Sequence, residues 1–339
     1  MQNFCTCHLV KVCDILISEI IETEFSRDCF ATLATVSITQ WRIFMRSFKG
    51  VWPALVTPFT AEDMVNVPVL RELVEYLINK CVDGFYVCGT TGEGIYMSVG
   101  ERKLVAETVI AQVYGRVPTI VHVGCVSVRD AVALAQHAQQ VGAAGVSSIL
   151  PPFYNHAQSL YNYFATIAAA VPDLPVLTYI FGGPMDAVAL MREWLNIPNV
   201  IGTKYTGPNM YEFRHIVELR SDNWTVFSGM DEQCLFAAMF GASGNIGSTL
   251  NFMPGVYREI HACCQNGALA RGRELQIQAN KVTSVLLSFG FPGALKEVMG
   301  ILGFDCGKPR LPNLPLPEEK QDSLHAQLET VSFSKLAEM

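Results

Sequence analysis

Residues 119–150 read TIVHVGCVSVRDAVALAQHAQQVGAAGVSSIL. A short apolar run at 119–123 ends at a glycine, an amphipathic stretch at 130–140 carries apolar residues at helical spacing, and a second apolar run follows at 145–150. This is a strand, a crossover helix and another strand. Strands buried on both faces, as in a parallel sheet, read as near-continuous apolar runs rather than alternating ones. Outward from this stretch the same unit recurs from about residue 50 onward. The runs are 52–57, 84–88, 119–123, 145–150, 176–180, 200–204, 225–228 and 244–248, and the amphipathic stretches between them include 69–82, 101–113, 130–140, 159–170 and 210–219. Eight such units joined by right-handed crossovers predict an α/β fold, a (β/α)8 TIM barrel.

Beyond residue 248 the pattern turns helical only, at 254–265, 269–287 and 293–302, followed by a Pro-rich segment at 308–317 and a last polar helix. The organisation expected is therefore an N-terminal extension (1–45), a barrel (46–252) and a C-terminal helical region (253–339). The extension fits none of the units. Its Cys5, Cys7, Cys13 and Cys29 are scattered among β-branched and acidic residues, and it is expected to be poorly ordered.

Half of the 339 residues are apolar and 16% are charged, which suits one large core with appended elements. A net charge of -7 with no basic cluster argues against nucleic acid as a partner. The eleven cysteines form no CxxC pair and no metal-ligand spacing, the pattern of reduced thiols in a cytoplasmic protein. Cys263 and Cys264 read as helix core. Lys11, Asp14, Glu19 and Glu22 interrupt the N-terminal apolar region, so no membrane span and no secretion signal are expected.

In a barrel the chemistry is carried by residues leaving the C-terminal ends of strands. The second run exits into Gly89, Thr90, Thr91, Gly92 and Glu93, where converging backbone amides and two hydroxyls suit a carboxylate; a tight βα turn with a capping threonine is the plainer reading. Tyr179 near the end of the fifth run offers a phenol that donates and accepts protons, or fills the core. Lys204 ends the sixth run. A buried ammonium needs an anion or shifts toward the neutral amine, and a neutral amine condenses with carbonyls. Together these parts bind a keto acid, activate its ketone and move a proton.

These residues resemble the superfamily of N-acetylneuraminate lyase and dihydrodipicolinate synthase, over roughly residues 50–317. The resemblance rests on PALVTPF at 53–59, the 89–93 motif, His122-Val123-Gly124, Pro152-Phe153-Tyr154, Tyr179, Lys204 and Gly247-Ser248-Thr249. It implies that Lys204 forms an imine with C2 of a pyruvate moiety, that Thr90 and Thr91 hold the carboxylate and that Tyr179 shuttles the proton. A relay would continue through Thr90 to Tyr154 of the partner subunit, within a homotetramer. The imine itself is the electron sink, so neither a metal nor an organic cofactor is required.

Substrate choice falls to the far half of the site. There Gly229, Met230, Asp231, Glu232 and Gln233 resemble the sialic acid lyases, and the two carboxylates, with Thr206 and Ser248, suit the hydroxyls of a sugar acid. Charge stabilisation at a helix start is the alternative for the two acids. The synthases carry an Arg shortly after their Tyr for a second carboxylate, whereas residues 180–187 contain no basic residue. A sialic acid, cleaved to N-acetylmannosamine and pyruvate, is thus the leading substrate. Another 2-keto-3-deoxy sugar acid, a hydroxy-oxoglutarate or a dihydrodipicolinate-type reaction is the enzymatic alternative, and a barrel that only binds a keto acid is the non-enzymatic one.

Overall fold

The computed structural model describes residues 48–151, 156–182, 185–220 and 223–339. The extension at 1–45 lies outside them, as does Tyr154. Eight strands follow one another as β1 (Gly50–Pro53), β2 (Phe85–Val87), β3 (Thr119–His122), β4 (Gly145–Ile149), β5 (Val176–Phe181), β6 (Val200–Thr206), β7 (Thr225–Ser228) and β8 (Gly244–Gly247). All neighbours pair in parallel, and β1 pairs with β8. Between β1 and β2 a single parallel bridge, Ala54 to Tyr86, and a hydrogen bond from Leu55 N to the Tyr86 carbonyl bring the ring round on itself. The predicted barrel is the observed one.

Each strand is followed by a helix: α1 (Val67–Asn79), α2 (Val99–Val113), α3 (Val128–Gln140), α4 (Ala157–Ala170), α5 (Ala187–Trp194), α6 (Met210–Val217), α7 (Cys234–Met239) and α8 (Pro254–Gln265). Local sequence sets several starts. Ser98 and Glu101 form a reciprocal capping box on α2, while Asn66, Ser127, Asp186 and Asn209 each accept a hydrogen bond from the first turn of their helix. Such caps contribute about 1 kcal/mol each. The chain then adds α9 (Leu269–Ser288), α10 (Phe291–Ile301), α11 (Gln321–Thr330) and α12 (Phe333–Glu338).

Three details differ from the sequence reading. The first run was expected at 52–57, yet β1 spans Gly50–Pro53, because Pro53 has no N–H and the chain beyond it crosses toward β2. β6 continues two residues past Lys204, to Thr206. The last polar segment forms two helices rather than one. Among the described residues no single helix is long and apolar enough to cross a membrane.

Two apolar layers position the mouth of the barrel. One lies between sheet and helices. The other fills the ring with Phe48, Trp52, Ala54, Tyr86, Ile120, Leu177, Phe227 and Ile246, with Trp52 edge-on to both Phe48 and Phe227 at 5.5 Å. The barrel is therefore packed rather than hollow, and polar side chains gather above this plug.

Candidate active site

A bulge aligns the two residues that matter most. Val176 pairs with Val200, but Leu177 pairs with Gly202, so Ile201 is the extra residue of β6. The ladder then runs Thr178 to Thr203 and Tyr179 to Lys204. Without the extra residue Tyr179 would oppose Thr203, since a slip of one residue turns each side chain to the other face. Only glycine suits position 202, because a Cβ there would lie 1.8 Å from the Thr225 carbonyl oxygen.

Lys204 is 5% exposed, with Nζ 4.4 Å from the centre of the Tyr179 ring and 5.0 Å from that of Tyr86. Neither an ion pair nor a hydrogen bond joins Nζ to any described residue. Instead two aromatic rings lie against the amine, an arrangement that attracts a cation without tying its N–H groups to an acceptor. Gly229, just beyond β7, lets the backbone close in: a Cβ there would meet Thr206 Oγ1 at 1.8 Å and Lys204 Cε at 2.8 Å.

The turn after β2 is built as a cradle. Glu93 N donates to the Thr90 carbonyl and Gly94 N to that of Gly89, and Thr57 Oγ1 donates to the Gly92 carbonyl at 2.7 Å. Thr91 Oγ1 lies 2.6 Å from Ser248 Oγ, while Thr90 is exposed at the mouth. Glu93, in a left-handed conformation, anchors the turn from below. Its carboxylate pairs with Lys296 Nζ at 3.0 Å, the two side chains being 4% and 5% exposed, and accepts from Arg310 N at 2.6 Å and Asn313 Nδ2 at 3.3 Å. Lys296 also donates to the carbonyls of Thr57 and Lys308 and lies over the Phe59 ring. Burial pushes its ammonium pKa down and the Glu93 charge opposes this. The appended helices thus carry one half of a clamp whose other half is the cradle. A cavity of about 140 Å³ between them is lined by Thr90, Thr91, Ser248, Phe291, Leu295 and Lys296, among others.

The opposite wall differs. Asp231 is buried; its Oδ2 accepts from Thr249 N at 2.9 Å and Thr249 Oγ1 at 2.7 Å, and its Oδ1 has no partner. Burial first, then the neighbouring Glu232 charge, raises its pKa from 3.8 to about 6, against the pull of Thr249 and Lys204. Thr206 Oγ1 and Gln233 Oε1 are likewise buried without partners. Glu232 is half-buried, and its carbonyl accepts from Asn280 Nδ2.

The structure therefore gathers Lys204 with Tyr179, Thr206 with Gly229, and Thr91 with Ser248, and sets Asp231 beside Thr249. Lys296 and Asn251 were not foreseen as parts of the mouth, while Glu93 and Thr249 were named only within the 89–93 and 247–249 motifs, without a role of their own. Asn251 ties the β1 exit to the Ser248 turn through the Val56 amide and the Ala54 and Ser248 carbonyls. Lys296 had one visible signal, a lysine embedded in the apolar helix sequence FPGALKEVMGI.

The Dihydrodipicolinate synthetase family model matches residues 47–331. An N-acetylneuraminate lyase of Danio rerio is 36% identical over 293 residues, covering 83% of this chain and 95% of the relative. One of Rhizobium meliloti (strain 1021) is 34% identical over 266 residues, 78% and 89% of the two chains. Among solved structures, Proteus mirabilis N-acetylneuraminate lyase superposes with a TM-score of 0.81 at 32% identity, over 84% of this chain and 99% of the other. Matched through barrel and appended helices alike, the chain belongs to the Dihydrodipicolinate synthetase family.

Proposed function

We propose that the protein is a carbon–carbon lyase that cleaves N-acetylneuraminate to N-acetylmannosamine and pyruvate through a Schiff base on Lys204. One observation carries the reading: the buried amine of Lys204 lies against the Tyr179 ring, with neither an ion pair nor a hydrogen bond to any described residue. The amine adds to the C2 ketone and water leaves, giving an imine that is protonated in the process. As the C4 hydroxyl loses its proton, the C3–C4 bond breaks and its electron pair enters the imine, yielding an enamine and the free aldehyde sugar. Tyr179 serves as the proton carrier for these steps. Reprotonation at C3 and hydrolysis release pyruvate and restore Lys204.

The cradle at Thr90 and Thr91 suits the substrate carboxylate, which both threonine hydroxyls and the turn amides can reach as donors. Thr206, Gly229, Asp231, Glu232 and Ser248 suit the hydroxylated chain, because hydroxyl and carboxylate oxygens accept from sugar hydroxyls and the glycine leaves room beside them. A second substrate carboxylate finds no cation in 180–187, which disfavours the synthase-type reaction. A cytoplasmic homotetramer, with Tyr154 completing the relay, belongs to the same reading through the family resemblance, and sedimentation checks the assembly.

The test is intact and peptide mass after borohydride reduction with pyruvate and, separately, with N-acetylneuraminate. Adducts at Lys204 from both compounds, with N-acetylmannosamine released from the second, are expected. An adduct with pyruvate alone moves the substrate to another 2-keto acid, and no adduct removes the lyase reading.

A further inference from the structure

His122 ends β3 with its ring wholly buried, and none of the steps above uses it. Its two nitrogens point to different halves of the pyruvate site. Nε2 lies 3.0 Å from Ile149 N, and an amide can only donate, so Nε2 must carry the lone pair. In the neutral ring Nδ1 then carries the proton and donates to the Cys88 carbonyl at 3.1 Å, which is nearer than Arg102 Nη2 at 3.4 Å, a donor that would need Nδ1 as acceptor. Cys88 immediately precedes the Gly89–Glu93 cradle and holds a left-handed backbone conformation. Ile149 is the cross-strand partner of Tyr179, and the next amide, Leu150 N, donates to the Tyr179 carbonyl. The imidazole also meets the Tyr179 ring edge-on at 6.3 Å.

We propose that His122 is a positioning residue that ties the carboxylate cradle, through the Cys88 carbonyl, to the strand segment beside Tyr179, through the Ile149 amide. Arg102 of α2 holds it in place, donating through Nη2 to the His122 carbonyl at 2.6 Å and through Nη1 to that of Gly124 at 3.0 Å. The Arg102 and Lys204 cations that face the ring disfavour a second proton, the Cys88 carbonyl opposes them, and the Tyr86 and Tyr179 rings lie beside it. Burial and the two cations push the imidazole pKa well below its ordinary range. A protonated ring would set an Nε2–H against the Ile149 N–H and break the tie on the Tyr179 side. An Asn or Gln at this position keeps one link and loses the other. The Asn amide nitrogen takes the place of Nδ1 and restores donation to Cys88; the Gln carbonyl takes the place of Nε2 and restores acceptance from Ile149.

The inference rests on the proposed reaction, and its test separates the two. Imidazole ¹⁵N spectra of the wild type at pH 7, with the His122 signal assigned as the one missing from His122→Gln, read the tautomer directly, whatever the enzyme catalyses. The Nδ1–H form is expected; an Nε2–H form or an imidazolium overturns the tie. Steady-state cleavage of N-acetylneuraminate then splits the two links. His122→Asn, with the cradle link kept, should hold KM and lose roughly tenfold in kcat; His122→Gln should hold kcat and raise KM roughly tenfold, each the size of one lost hydrogen bond. Equal losses in kcat and KM for both variants, or none in either, sink the proposal. Failure of the wild type to cleave the sugar acid or trap pyruvate instead sinks the reaction assignment, and the tautomer still decides the tie.

Discussion

The two walls of the barrel mouth are finished to different degrees. At the cradle, the buried carboxylate of Glu93 has a cation and two further donors, and the turn carbonyls are met from Thr57 and within the turn itself. Across the mouth, Asp231 Oδ1 and Thr206 Oγ1 are buried with nothing to bond. Leaving a buried polar group unpaired costs about 1–3 kcal/mol, so these side chains are held at a cost in the folded protein. In the proposed reaction the satisfied wall serves the part common to any 2-keto acid, and the unsatisfied wall selects which one enters.

The comparison breaks most sharply at Lys204. Lys204→Ala should lower turnover by at least about a thousandfold and abolish borohydride trapping of pyruvate, with the fold intact by circular dichroism. Residual trapping would place the nucleophile elsewhere. Next comes the clamp beneath the cradle. Lys296→Met leaves the Glu93 carboxylate buried without its cation and should destabilise the protein by about 3–5 kcal/mol in urea unfolding, with part recovered in the Glu93→Gln/Lys296→Met double variant. A loss under about 1 kcal/mol would show that Arg310 N and Asn313 suffice to satisfy Glu93.

The far wall gives the smallest effect and one of opposite sign. Because folding raises the Asp231 pKa from 3.8 to about 6, the folded protein keeps that proton longer than the unfolded chain, and stability falls as pH rises from about 4 to about 6, by ~3 kcal/mol from this group. Asp231→Asn should flatten that dependence and make the empty protein more stable at neutral pH, while lowering kcat/KM for the sugar acid about tenfold and leaving pyruvate trapping unchanged. Loss of trapping in Asp231→Asn would join the two walls into one unit and undo the comparison.

Much of this was legible in the sequence because it is local. Strands buried on both faces announce themselves as apolar runs, and a strand-end lysine needs no alignment to stand out. The two short helices α5 and α7 were not read as helices, since AVALMREW and CLFAAM are too short to display a period. The bulge at Ile201 was equally hidden. It depends on which residue of β5 faces which of β6, a pairing that neither strand specifies alone. The ends of the clamp, Glu93 and Lys296, lie on different layers of the fold, and only the folded chain shows that a lysine in an apolar helix answers a glutamate in a glycine-rich turn.

That clamp also bears on how such a site can change over generations. A substitution at residue 93 or 296 strands a charge in the interior until the other position changes too, so the pair is inherited as a single character and rarely explored one step at a time. Residue 206 carries a hydroxyl with no protein partner, and the side chain of residue 231 answers only to its neighbour Thr249 among the described residues. Mutational drift is cheap there and expensive at the cradle, and descendants of this barrel are expected to differ first in the sugar they accept and last in the keto acid they release.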